Sequence, residues 1–352
     1  MPKFQGQLND FLAHHKVSFL VSTYKTNMLL AITSKEGELD TTAYPLPRPM
    51  GLASHQKQLA VGTKSAIIQY TNQQAVLAKF PESGDALFLK RSIHYTGDMN
   101  IHDMGYASEG GKRGELWFVN TRFSCLGTLD SAYSFVPRWQ PKWITTLDGG
   151  DRCHLNGLAM VDGKPKYVTS FSETDTELGW KEGPLDQGVL VDIETNEVIA
   201  SGLSRPHSPK YHQGFVYLLE SGTGKLLKID PASKNVTTVC QLTGFVRGLS
   251  LFGNYAVAGM SQFRETNSSK LEVTDKTQLK SAVIAVVDIT DGAIAATVKF
   301  EDKIKELYDI LVLEGIEHPL FREHDAKTDS AFVVPDDLLL AFDSSWDKPK
   351  GN

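Results

Sequence analysis

His102, His154 and His207 stand about 50 residues apart, each near the start of a strand-like segment. Imidazole titrates near neutral pH and also ligates metals, so two chemistries follow from its recurrence. In the first, His102, Asn156 and His207 hold a divalent ion, Zn, Fe or Mn ahead of Ca, because imidazole-rich sites suit those ions better. In the second, no metal is needed. His102, His154 and His207, with Asp103 beside His102 and Glu173 in the Ser172-Glu-Thr-Asp-Thr loop, serve as general acids or bases. Arg122, Arg247 and Arg264 offer fixed forks of donors that can clamp a carboxylate or phosphate, and Tyr308 completes the set for a substrate. Cys153 beside His154 is a further nucleophile candidate, although no spacing fixes a Cys–His pair. Intervals this wide are no ligand motif in themselves. The plainer alternative is that these groups hydrogen-bond to one another and to water, with Arg247 paired to Asp103 or Asp309.

Side chains so far apart meet only if the chain returns repeatedly to one axis. Six similar starts occur at spacings of about 40 to 60 residues, the range of propeller blades. They are Arg48-Pro-Met-Gly-Leu-Ala, Asn100-Ile-His-Asp-Met-Gly-Tyr, Cys153-His-Leu-Asn-Gly-Leu-Ala, Arg205-Pro-His-Ser-Pro-Lys-Tyr, Phe245-Val-Arg-Gly-Leu-Ser-Leu and Leu307-Tyr-Asp-Ile-Leu-Val-Leu. Residues 214–242 show the unit best, with β-branched runs split by Gly222-Thr-Gly-Lys and Pro231-Ala-Ser-Lys-Asn turns. One blade cannot bury both its faces, so blades stack around an axis. The expected fold is all-β, a six-bladed propeller over residues 17–322. The strand at 307–313 takes partners from the N-terminus, at 17–22 and 28–32, and so ties the ring shut.

Helical periodicity is confined to residues 4–15 and 301–307. A short helical segment over 1–16 and a tail over 323–352, with residues 333–342 packed outside, complete the layout. Aligning the starts on their Gly-Leu-like dipeptides places Met50, His102, Asn156, His207, Arg247 and Tyr308 at one channel position, with His154 two residues before Asn156. Loops after the second strands rim the same mouth with Thr121, Arg122, Ser172, Glu173, Asp175, Glu220, Ser221, Ser261, Gln262 and Arg264. Trp139, Trp143 and Trp180 lie in long insertions, where they either stack on a sugar ring or cover apolar blade edges.

Composition removes several classes. The 352 residues are 41% hydrophobic and 22% charged, which is ordinary globular usage. A net charge of −6 gives no basic footprint for nucleic acid. No run reaches the ~18 apolar residues of a membrane helix. The polar N-terminus does not read as a signal peptide, and three cysteines suit reduced thiols, so a cytoplasmic location is expected. Gly222-Thr-Gly-Lys lies between strands rather than before a helix, so no nucleotide or flavin is expected. The expected partner is a small polar or anionic molecule, and a protein partner stays open.

The runs DRCHLNGLAMVDGKPKYVT, SETDTELGW, LSRPHSPKYHQGFVYLLESGTGKLLKID and GFVRGLSLFGNYAVAGMSQFRE resemble an uncharacterised bacterial family of conserved hypothetical proteins that carries a domain of unknown function. The resemblance spans roughly residues 17–319 and implies a β-propeller, without an assigned reaction. A looser likeness is to six-bladed propellers of the gluconolactonase and regucalcin type, whose metal-binding Asn is similar to Asn156-Gly157. Here Leu155 replaces the proline of that motif. His102, His207 and Arg247 stand where those hydrolases use carboxylates. Two functions follow as expectations: a hydrolase, lyase or isomerase acting on a polar or anionic metabolite at the channel mouth, or a non-catalytic propeller binding a peptide, glycan or protein.

Overall fold

A computed structural model of the chain describes residues 8–77, 84–108, 114–262, 279–300 and 304–323. Arg264 and the tail from residue 324, including 333–342, lie outside the described residues. Six antiparallel sheets stand around a common axis. Blade 1 runs outward through Leu52–His55, Gln58–Gly62, Ala66–Asn72 and Ala86–Tyr95. Blade 2 begins at Ile101–Ala107, blade 3 at Leu155–Val161, blade 4 at Pro206–His212 and blade 5 at Phe245–Phe252. Blade 6 is built from both ends of the propeller. Its inner strand Asp309–Glu314 pairs with Val17–Thr23, and Met28–Lys35 and Glu38–Pro45 follow outward. The register Phe19↔Val312 and Ser22↔Asp309 closes the ring as the sequence predicts. Pro319–Arg322 then adds a parallel strand to the outer edge of blade 1, which covers an otherwise open ladder.

The cores lie between blades rather than within them. Phe19, Val21 and Ile32 of blade 6 meet Phe252, Val257 and Ile284 of blade 5. Val119 and Leu126 of blade 2 meet Leu158, Val168 and Val191 of blade 3. Each sheet is therefore apolar on both faces, and removal of that surface from water drives the stacking. The helix Leu8–His15 buries Leu8 and Leu12 in the core of blades 5 and 6. The second helical window is not helical over its described part: residues 304–307 are irregular and lead into the closing strand.

Crowding at the axis explains the recurrent glycines. A Cβ on Gly51 would sit 3.1 Å from the Asp103 Cα, and one on Gly248 would sit 3.0 Å from the Asp309 Cα, in each case on a neighbouring blade. Side chains stitch the inner strands together: Leu52 N–H donates to Asp309 Oδ2, Leu158 N–H to Asp103 Oδ2, and Gly248 N–H to Ser208 Oγ. No helix among the described residues is long and apolar enough to cross a membrane.

Candidate functional site

Four of the inner strands are entered through a residue in the left-handed region: Arg48 (φ 52°), Asn100 (φ 56°), His154 (φ 53°) and Arg205 (φ 53°). This costs a non-glycine residue energy. It also turns the chain sharply into the axis. His102 and His207, each two residues later, are thereby placed in the same setting. His102 Nδ1 lies 2.9 Å from the Asn100 carbonyl and 2.8 Å from Thr121 Oγ1. His207 Nδ1 lies 3.0 Å from the Arg205 carbonyl and 2.6 Å from Ser221 Oγ.

Both hydroxyls have already given away their hydrogen. Thr121 Oγ1 donates to the Leu155 carbonyl at 2.7 Å and Ser221 Oγ donates to the Val246 carbonyl, each reaching the next blade. Each hydroxyl oxygen and its neighbouring carbonyl therefore act as acceptors, so the imidazole must carry its proton on Nδ1. The tautomer is set by hydrogen-bond logic. Nε2 is left as a lone-pair acceptor. Burial, the largest cause, holds both histidines well below the ordinary imidazole pKa. The neighbouring charge of His154 and then Arg247 adds to this at His102, and that of Arg247 at His207.

These rings line a cavity of 510 Å³ at one mouth of the channel, with His154, Phe171, Trp180, Arg205, Phe245, Arg247, Glu306 and Tyr308. His154 is oriented by Asp151, whose carboxylate oxygens lie 2.9 and 3.1 Å from Nδ1. Its ring is 4.1 Å from Trp180 and 4.9 Å from His102, centre to centre.

Two guanidiniums face the same space. Arg205 is only 8% exposed. It lies against the faces of Phe171 (4.7 Å) and Trp180 (4.9 Å), and its Nη2 donates to the Trp180 carbonyl at 3.1 Å. Its buried Nη1 has no hydrogen-bond partner among the described residues, and no carboxylate pairs with it there. Burial brings its pKa down to about 10. Arg247, 5% exposed, sits 3.6 Å over the Tyr308 ring with Nη1 3.9 Å from Glu306 Oε1, while its Nε is buried without a partner among the described residues. A buried cation without a full set of partners is costly, and both guanidinium side chains line the cavity.

Asp103 points elsewhere. Its carboxylate accepts Lys210 Nζ at 3.0 and 3.1 Å and the N–H groups of Met104 and Leu158, deeper along the axis. Glu173 and Arg122 are exposed and outside the cavity lining. Asn156 shares a strand position with His102 and His207, but its amide accepts from Thr169 and donates to the His154 carbonyl. The Asn156 amide is thus engaged by Thr169 and the His154 carbonyl, and Arg247 acts electrostatically on both histidines. Among the described residues, no group of three or more His, Cys, Asp or Glu side chains is arranged to hold a metal. Cys153 is buried among apolar side chains, and burial pushes its thiol up, away from the reactive thiolate. Trp139 and Trp143 pack on the core of blades 2 and 3, whereas Trp180 covers the cavity.

Sequence reasoning missed Arg205 and Glu306, and it placed Thr121 and Ser221 at the mouth without their role behind the imidazoles. The signal for Arg205 was available. The offset of two that relates His154 to Asn156, applied to the other starts, yields Arg48, Asn100 and Arg205.

The architecture is similar to a chain of the crystal structure described as a nidogen/laminin complex, with a TM-score of 0.54 and 9% identity over 85% of this chain and 99% of that one. That likeness shows the propeller fold and nothing about ligands. No curated protein matches the sequence. A family model described as a domain of unknown function, DUF4915, matches residues 6–321. With nearly the whole propeller inside that match, the chain belongs to the DUF4915 family.

Proposed function

We propose that the cavity binds a small organic anion and that His102 and His207 remove a proton from it. Arg205 and Arg247, whose side chains line the cavity, hold the anionic group. Tyr308 fixes the guanidinium of Arg247 by stacking, and Trp180 excludes water from above. Nε2 of one histidine takes a proton from a C–H or O–H of the ligand and becomes imidazolium, its Nδ1–H still held by the carbonyl and hydroxyl behind it. Both imidazoles begin unprotonated. That suits removal of a proton from carbon and its return, to carbon in isomerisation or to the leaving oxygen in elimination.

The observation that carries this reading is the duplicated clasp: Asn100 carbonyl with Thr121 at His102, and Arg205 carbonyl with Ser221 at His207. A packing core has no need of two identically fixed tautomers facing one cavity. Three buried, unpaired thiols fit a reducing, cytoplasmic setting for such an enzyme.

The test is solvent exchange. A panel of carboxylic acids is incubated with the protein in D2O, and loss of C–H signal is followed by NMR. The wild type exchanges at least one acid, His102→Gln and His207→Gln bind that acid but lose exchange by about 100-fold, and Arg205→Met loses binding. Full exchange in both histidine variants contradicts the mechanism. Binding without exchange in the wild type makes the cavity a receptor for the anion, the non-catalytic alternative.

A further inference from the structure

The anion is not a bare one. Resting on the proposal that the cavity holds an anion, we infer that its ligand is a hydroxylated carboxylic acid of the sugar-acid type. Two acceptors, Nε2 of His102 and Nε2 of His207, open on the cavity, because Nδ1 is the protonated nitrogen of each ring. A ligand made only of oxygen lone pairs would set acceptor against acceptor at both places. The molecule must therefore bring donors as well as charge, and hydroxyl groups are the donors that accompany a carboxylate in a small polar acid.

Charge calls for an anion. Two buried guanidiniums, Arg205 and Arg247, and Lys181 line the cavity with one buried carboxylate, Glu306, which also pairs with Lys25 at 3.8 Å. Cations are in excess there, and the phosphate probes below separate a monoanionic carboxylate from a dianion.

Shape completes the argument. Trp180, Phe171, Phe245 and Tyr308 line the cavity between its polar groups, with guanidiniums on one face of Phe171, Trp180 and Tyr308. The aromatic surface that remains suits the C–H groups of a pyranose or an extended polyol, whose hydroxyls reach the imidazoles. A volume of 510 Å³ is ample for a six-carbon acid and wasteful for acetate or inorganic phosphate.

Calorimetric titration of the full chain with matched probes tests this. Glucuronate is compared with cyclohexanecarboxylate, which has the same ring size and charge without hydroxyls. Glucose supplies the hydroxyls without charge, and glucose 6-phosphate and inorganic phosphate supply dianions. Gluconate serves as the open-chain acid. The expected result is that glucuronate or gluconate binds at least tenfold more tightly than every other probe. His102→Phe and His207→Phe reduce the ratio of glucuronate to cyclohexanecarboxylate towards one, while Arg205→Met weakens both acids.

Cyclohexanecarboxylate or a phosphate binding as tightly as the hydroxylated acids overturns the inference and leaves the anion site intact. No binding by any acid or phosphate overturns both the inference and the anion site. The comparison among probes on the wild type decides the matter even where a variant does not fold.

Discussion

Two sets of buried charges lie along the same inner strands, one at the mouth and one a few residues deeper, and they are finished differently. In the deeper set, Asp103 and Asp309 flank Lys210. Asp103 accepts Lys210 Nζ and two backbone N–H groups, and Asp309 accepts the N–H groups of Leu52 and Ile310. These bonds join blade 6 to blade 1 and blade 2 to blade 3. At the mouth, Arg205 Nη1 and Arg247 Nε have no partner among the described residues, and two imidazole Nε2 atoms face open space. The groups of the deeper set have their bonds made within the chain, whereas those at the mouth have theirs half made, as the proposed anion site requires.

Substitution should break the two sets in opposite directions. The largest effect is expected at Lys210→Met. It removes the cation paired with Asp103 and leaves that carboxylate beside Asp309 without it. The loss is about 3–5 kcal/mol of stability, measured by urea denaturation. Arg205→Met, by contrast, removes a buried cation that no carboxylate compensates and leaves a methionine to pack between Phe171 and Trp180. The free protein is expected to gain about 1–2 kcal/mol, seen as a higher Tm, while ligand binding is lost. Equal destabilisation by both variants would erase the distinction.

The clasps come next. Thr121→Val and Ser221→Ala each remove a hydrogen bond to the neighbouring blade and the acceptor behind an imidazole, costing about 1–2 kcal/mol in the same assay.

The two sets also oppose each other in their pH dependence. Burial first, then the charge of Asp103, raises the Asp309 carboxyl to about 7. A carboxyl raised in the folded state makes the protein lose stability as pH rises from about 4 towards 7, because the unfolded chain gives up that proton earlier. His102 and His207 are depressed, so their contribution is present above about 6.5 and is lost as pH falls below it. The His102→Phe/His207→Phe double variant should therefore fall in stability between pH 5 and 7 by up to about 1.4 kcal/mol per pH unit from Asp309, while the wild type is flatter or rises. Parallel profiles would contradict the assignment.

The contrast also shows what could be read before the fold was seen. The six starts were legible because crowding at the axis demands small residues, as at Gly51 and Gly248, and because strands at both ends lacked local partners. His102, His207, Arg247 and Tyr308 followed from that alignment, and all four line the cavity. Met50 and Asn156 shared the alignment but not the site. In blade 3, His154 itself takes the left-handed conformation, so it, rather than Asn156, faces the cavity. Arg carries no signal for that conformation, and Asn and His carry a weaker one than glycine, so the side that each strand start presents was hidden. Glu306 escaped for a related reason. Residues 301–307 have a helix-like pattern, yet residues 304–307 are irregular chain that carries Glu306 to Arg247, where Asp103 or Asp309 had been the expected partners.

Nitrogen NMR of imidazole-labelled protein, assigned with His102→Gln and His207→Gln, tests the central claim most directly. Two rings should show the proton on Nδ1 and a bare Nε2, unchanged as pH falls from 8 to 5.5, and both Nε2 signals should shift when a bound acid donates to them. Rings that carry the proton on Nε2, or that titrate near pH 6.5, would contradict the account.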